Sequence, residues 1–137
     1  MRVLLLGATG NLGSRLLPAL LAHNHTVTVL IRNPSKLRAQ IPSSVFDKVS
    51  IAHGDATDST VIKDALISNN CDAIVSSAGV AAVFPWQELG MQPIVHAVAA
   101  AAVEASQILG RPMRCWFLGG PTALNIPGSD GRLKIKD

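Results

Sequence analysis

The segment 2–13, Arg-Val-Leu-Leu-Leu-Gly-Ala-Thr-Gly-Asn-Leu-Gly, constrains the fold more than any other part of this chain. An apolar run of strand length breaks into glycines at 7, 10 and 13, and a helical apolar pattern follows at once. Gly7 is expected to end the strand in a tight turn, and Gly10 to let the backbone come close to a ligand. Gly13 is expected to let the helix pack closely on the strand. Such a turn aims the free N–H groups at the start of the helix toward one point, where a pyrophosphate can sit. A lone Gly-x-x-Gly-x-x-Gly is a weak pattern. Between the first strand and first helix of a β-α-β unit it points to a dinucleotide.

The next strand, 26–32, sharpens this reading. Arg32 stands at its carboxyl end, where the adenosine ribose of a dinucleotide would lie. An acidic residue there selects a free 2′-hydroxyl, whereas an arginine offers a permanent forked cation to a 2′-phosphate. Lys36, four residues on, adds a second charge. NADP(H) is therefore the expected cofactor.

The remaining pattern alternates strands and helices with short connections. Apolar spacing predicts helix 11–23, with Leu12, Leu16, Leu17, Leu20 and Leu21 facing inward, and a Pro34-initiated helix to about 41. Strand 48–53 follows. Asp58 then caps a helix to about 68, with Val61, Ile62, Ala65 and Leu66 inward. Strand 72–77, an Ala-rich helix over 87–109, strand 113–118 and a loop over 119–137 complete the pass. Continuous apolar strands alternating with helices predict an α/β fold. Its core is a doubly wound parallel sheet of about five strands in the order 3-2-1-4-5, with helices on both faces. One domain over 1–120 and a tail over 121–137 follow.

Composition narrows the function classes. The 137 residues are 48% hydrophobic and 15% charged, against roughly 25% charged in an average soluble domain. The shortfall predicts extra buried surface, such as a homodimer seam along the Ala-rich helix, whose small residues 97 and 99–102 let a second helix approach closely. A net charge of +3 without a basic cluster, and five aromatic residues, argue against nucleic acid. The longest apolar stretch, 94–103, is too short to span a membrane, and the first residues do not form a signal peptide, so a cytoplasmic location is expected. Cys71 and Cys115 lack metal-ligand spacing and read as reduced core thiols. His23 and His25 read as surface residues, so no metal site is expected.

The segments 7–13, 31–37 (Ile-Arg-Asn-Pro-Ser-Lys-Leu), 54–58 (Gly-Asp-Ala-Thr-Asp) and 76–79 (Ser-Ser-Ala-Gly) arrive in an order that resembles the atypical short-chain dehydrogenase/reductases. The likeness is to their NmrA-like and NAD(P)H-binding flavin/biliverdin-reductase type, and it covers the cofactor-binding Rossmann half. It implies that Gly7, Thr9, Gly10, Asn11, Leu12 and Gly13 form the cofactor turn. It also implies that Asp55 and Ala56 contact the adenine, that Ser77, Ala78 and Gly79 line the middle of the cofactor, and that Leu118 and Gly119 lie near the nicotinamide.

Two departures from the family pattern matter. The chain has no tyrosine, so the usual Tyr-x-x-x-Lys acid/base pair is missing, and Gly119-Gly120-Pro121 stands where many relatives carry Ser or Thr. Relatives also continue beyond the fifth strand. A natural short product, a truncated gene and a site completed by another subunit all remain open readings.

No catalytic residue is assigned. Hydride transfer needs the nicotinamide oriented against an acceptor. Phe84 and Trp86 are candidates for an apolar substrate platform, and His96 is the one titratable substrate-side candidate on the Ala-rich helix. The expected activity is NADP(H)-dependent reduction of a small conjugated, quinone-like or flavin-like acceptor. A redox sensor that binds the dinucleotide without turnover, and a non-redox isomerase, are the alternatives.

Overall fold

A computed structural model describes residues 1–79 and 91–118. The element order is β1 (Arg2–Leu6), α1 (Gly13–Ala22), β2 (Thr26–Ile31), α2 (Pro34–Gln40), α3 (Ser43–Phe46), β3 (Ser50–His53), α4 (Ser59–Ser68), β4 (Ala73–Ser76), α5 (Met91–Leu109) and β5 (Arg114–Phe117). All four strand pairings are parallel, and the sheet runs β3-β2-β1-β4-β5. The doubly wound order expected from the alternation is therefore the order observed.

Side-chain alternation along the central strands divides the core in two. Leu4 and Leu6 of β1, Leu30 of β2 and Ile74 of β4 pack with α4 and α5 on one face. Leu5, Val27, Val29 and Ile31 pack with Leu17 of α1 and Leu37 of α2 on the other. β1 and β2 are buried on both faces, as parallel strands covered by helices must be. A Lys63–Glu104 ion pair of 3.2 Å links α4 to α5 at the surface.

The helix starts follow local chemistry. The Asp58 carboxylate accepts from the Thr60 and Val61 N–H groups at 2.9 and 3.2 Å and caps α4. Asn33 caps α2 by accepting from the Lys36 N–H, with Pro34 in the first turn. At the amino end of the sheet Arg111 donates to the Asn70 and Cys71 carbonyls and pairs with Asp72, whose carboxylate also accepts from the Arg2 N–H.

Several sequence expectations are corrected. Helix α1 begins at Gly13, two residues late, because the turn consumes Asn11 and Leu12, and Leu12 is consequently exposed. The short helix α3 is absent from the sequence reading; Pro42 starts a turn too brief to show a period. Turn bonds take up Lys48 and Val49, so β3 begins at Ser50. Neither β3 nor β5 is buried along its length, because each is an edge. Cys115, expected in the core, is exposed, whereas Cys71 is fully buried and burial pushes its thiol up to about 11. The Ala-rich helix is not uniformly available either. Ala97, Ala101, Ala102 and Ala105 face the chain's own core, and Ala99, Ala100 and Val103 face outward.

Candidate functional site

At the carboxyl ends of β1, β2 and β3 lies a cleft of about 460 Å3. Gly7, Ala8, Thr9 and Gly10 form one wall, Arg32, Asn33 and Lys36 a second, Gly54 to Thr57 a third and Ser77 to Gly79 a fourth, with Ile94 at the α5 side. The crossovers leave this position open because they part to opposite faces of the sheet on either side of β1.

The three glycines of the turn meet three different constraints, as their positions led one to expect. Gly7 has φ +82°, and a Cβ there would lie 2.5 Å from the Ala78 nitrogen. A Cβ on Gly13 would land on the Gly7 carbonyl, with Ala8 Cα at 2.8 Å. Backbone shape and helix packing therefore require those two. Gly10 lacks a positive φ, and a Cβ there would meet only the Gly7 oxygen at 3.3 Å. Gly10 is spared a side chain for the sake of the space beside it, and the backbone shape does not forbid one.

The Gly10 N–H is already bonded to the Gly7 oxygen at 3.0 Å, and Ser14 donates to the Gly10 oxygen at 3.0 Å. The N–H groups of Asn11 and Leu12 meet no acceptor among the described residues. A turn bare of side chains, with unspent donors ahead of a ten-residue helix, fits a bound phosphate.

Across the cleft, the Asp55 carboxylate makes both a turn contact and an ion pair. Its Oδ1 accepts from the Thr57 N–H at 2.9 Å and the Thr57 hydroxyl at 2.8 Å. These bonds, with Arg32 nearby, hold the carboxyl below its ordinary range against the opposing effect of burial. Its Oδ2 lies 3.5 Å from Arg32 Nη1. Arg32 itself has 81% of its side chain exposed at the rim, beside the likewise exposed Lys36. The Ser77 hydroxyl donates to the Leu6 carbonyl at 2.9 Å, so it seals the end of the β1–β4 pairing.

The cleft thus gathers Gly7, Thr9, Gly10, Arg32, Lys36, Asp55, Ala56, Ser77, Ala78 and Gly79. Asn11, Leu12 and Gly13 lie in or behind the turn and do not line the cleft. Leu118 donates its N–H to the Ser76 carbonyl at 3.0 Å, but its exposed side chain is also outside the lining. His96, the substrate-side candidate, is exposed on α5 and does not line the cleft. Gly119, Phe84 and Trp86 fall outside the described residues. Sequence reasoning missed Asn33, Thr57 and Ile94. Asn-Pro before a helix and Asp-x-Thr were the available signals for the first two; Ile94 carried none.

The described residues contain no group of three or more His, Cys, Asp or Glu side chains suited to a metal, and none of their helices is long and apolar enough to cross a membrane.

Comparison with known proteins agrees with this geometry. The model of the NAD(P)H-binding family matches residues 7–108. Serine dehydrogenase from Escherichia coli is similar in structure, with a TM-score of 0.68 at 19% identity over 96% of this chain and 68% of that one. WbmG from Bordetella bronchiseptica, solved with NAD and UDP, gives 0.63 at 22% identity over 94% and 40%. Leucoanthocyanidin reductase from Vitis vinifera, solved with NADPH, gives 0.57 at 27% identity over 84% and 35%. The chain therefore spans well under half the length of the last two. No curated protein matches it.

Proposed function

The chain belongs to the NAD(P)H-binding family, and from that premise we propose that it is a reductase-like protein using NADP(H) to reduce a small conjugated, quinone-like or flavin-like acceptor. One observation carries the cofactor choice: the cleft wall after β2 presents Arg32 and Lys36 together. A forked guanidinium and an ammonium suit a 2′-phosphate, whereas a 2′-hydroxyl offers neither of them an anion. The residues also fit the rest of a dinucleotide. The glycine turn has donors and room for a pyrophosphate, and Ala56 and Ile94 offer apolar surface.

A bound nicotinamide supplies a hydride, that is two electrons and one proton, and is left oxidised. The acceptor gains the hydride at one atom, and the resulting anion takes its proton from water. No tyrosine exists in the chain to deliver that proton, so the acceptor class is one that does not need a protein acid. The chain's part is to hold the cofactor in register with the acceptor.

Calorimetric titration with NADP+ and NAD+ tests the cofactor assignment. Charge-assisted bonds contribute roughly 1.5–3 kcal/mol each, or about tenfold to over a hundredfold in affinity. Arg32→Asp is expected to erase or invert the preference. Equal dissociation constants in the wild-type chain would overturn it. Following NADPH oxidation by its absorbance with quinones and flavins tests turnover. Tight binding without oxidation of any of them marks a sensor instead.

A second element of the reading is self-association along α5. Its outward residues Ala99 and Val103 line a shallow groove together with Cys115 and the exposed Phe117 of β5. Two copies related by a two-fold axis would cover these residues mutually.

A further inference from the structure

We propose that Asp55 is a latch on Arg32, so that a 2′-phosphate must displace this carboxylate and the latch sets how strongly the two cofactors are discriminated. The proposal rests on the reading of Arg32 as the 2′-phosphate residue.

The backbone brings the pair together. β2 and β3 are parallel neighbours whose register ends at Ile31 and His53, and the Gly54 N–H donates to the Ile31 carbonyl at 3.1 Å. The next residue on each side is therefore committed to the same corner of the cleft: Arg32 from one strand, Asp55 from the other. Their ion pair is not a chance meeting of two loose side chains. Thr57 fixes one Asp55 oxygen with two bonds, which sets the direction of the other oxygen, and that oxygen faces Arg32. Only the arginine is free to move. With 81% of its side chain exposed, it can leave the carboxylate at little steric cost.

The two rim cations are consequently unequal. Lys36 forms no ion pair among the described residues, whereas Arg32 does. A phosphate arriving at the rim meets an unopposed ammonium and an opposed guanidinium. A dianion outcompetes a single carboxylate for the fork, but part of the gain is spent in breaking the existing pair. NAD+, with no 2′-phosphate, leaves the pair closed. Exposed pairs are weak, and a shift of about threefold is what one of them is expected to produce.

The experiment is calorimetry on the full chain at low salt, with NADP+ and NAD+ as probes, for wild type, Asp55→Asn, Arg32→Ala and the double variant. Asparagine keeps an acceptor for Thr57 and removes the charge. Any change in an adenine contact affects both cofactors alike and cancels in the ratio of their dissociation constants. The NADP+ preference is expected to rise about threefold in Asp55→Asn, and Asp55→Asn is expected to leave the ratio unchanged when Arg32 is already alanine. If Asp55→Asn does not fold, Thr57→Val loosens the carboxylate without altering its charge and is expected to move the ratio the same way.

An unchanged or lowered preference in a folded variant overturns the latch. An equal rise with and without Arg32 also overturns it, because that would mean direct repulsion of the phosphate by Asp55. A wild-type ratio of one removes the cofactor assignment and the latch together, whereas the first two outcomes leave that assignment standing.

Discussion

β3 and β5 are the two edges of one sheet, yet they are built from different chemistry. β3 offers Ser50, Ala52 and His53, with Ile51 its one exposed large apolar residue, and it leads directly into the Asp55 corner. β5 offers Cys115, Trp116 and Phe117, with Trp116 69% exposed. Small and polar residues make an edge that water can cover, and large apolar ones make a surface that other protein covers. The half of the molecule behind β3 carries the Arg32 and Asp55 walls of the cleft, and close contacts at the adjoining glycine turn exclude side chains. The half behind β5 presents side chains with no such partners. One half carries the cationic wall of the cleft; the other exposes large apolar side chains at its edge.

The strongest way to break this contrast is to add one methyl to each half. Gly13→Ala puts a carbon onto the Gly7 carbonyl, so either the turn or helix α1 must move. A loss of about 3 kcal/mol or more is expected. Gly110→Ala meets nothing within 4 Å, although its φ is +65°; about 1 kcal/mol is expected. Thermal unfolding followed by circular dichroism compares the two, and similar midpoints would erase the distinction.

Gly10→Val separates ligand space from fold inside the cleft half. Its Cβ is tolerable where Gly7 and Gly13 are not, so the variant is expected to fold. The side chain occupies the space beside the turn, and NADP+ affinity is expected to fall by about a hundredfold or more. Retained affinity in a folded variant would show that the phosphate binds elsewhere.

At the β5 half, Val103→Glu is the matching test. The side chain is exposed within the chain, so monomer stability is expected to change by only about 0.5 kcal/mol. Sedimentation is expected to show the wild type at twice the chain mass and the variant shifted toward monomer. Ala101 is unsuitable for this purpose, because it is fully buried in the chain's own core. A monomeric wild type would remove the proposed seam.

The smallest effect distinguishes the two thiols. Cys115 is expected to react readily with a disulfide reagent, and Cys71, buried and with its ionisation pushed up, only on unfolding. One fast thiol per folded chain checks this.

Much of the fold was legible because strand and helix periods alternate cleanly and the glycine turn marks the first crossover. What escaped was decided in three dimensions. Sequence shows that 113–118 is largely apolar but not that it is an edge, so Cys115 read as buried. The Ala-rich helix shows no strong contrast between its faces, and packing against α4 and the sheet decides that Ala101 is inside and Val103 outside. In the cleft, Arg32 and Asp55 were each visible as separate residues. Their pairing depends on the β2–β3 register, which links residues 23 apart in the chain.

The central position of β1 has a consequence for how the molecule is made. Arg2–Leu6 precedes both of its partners in the chain, and it pairs with β2 on one side and with Ala73–Ser76 on the other. Three consecutive leucines therefore wait for some seventy further residues before the second side of their strand is covered. Non-local parallel pairing of this kind slows folding and leaves an adhesive apolar ribbon open meanwhile. The chain's refolding yield is thus expected to depend on how soon β4 pairs, since the second side of β1 stays open until then.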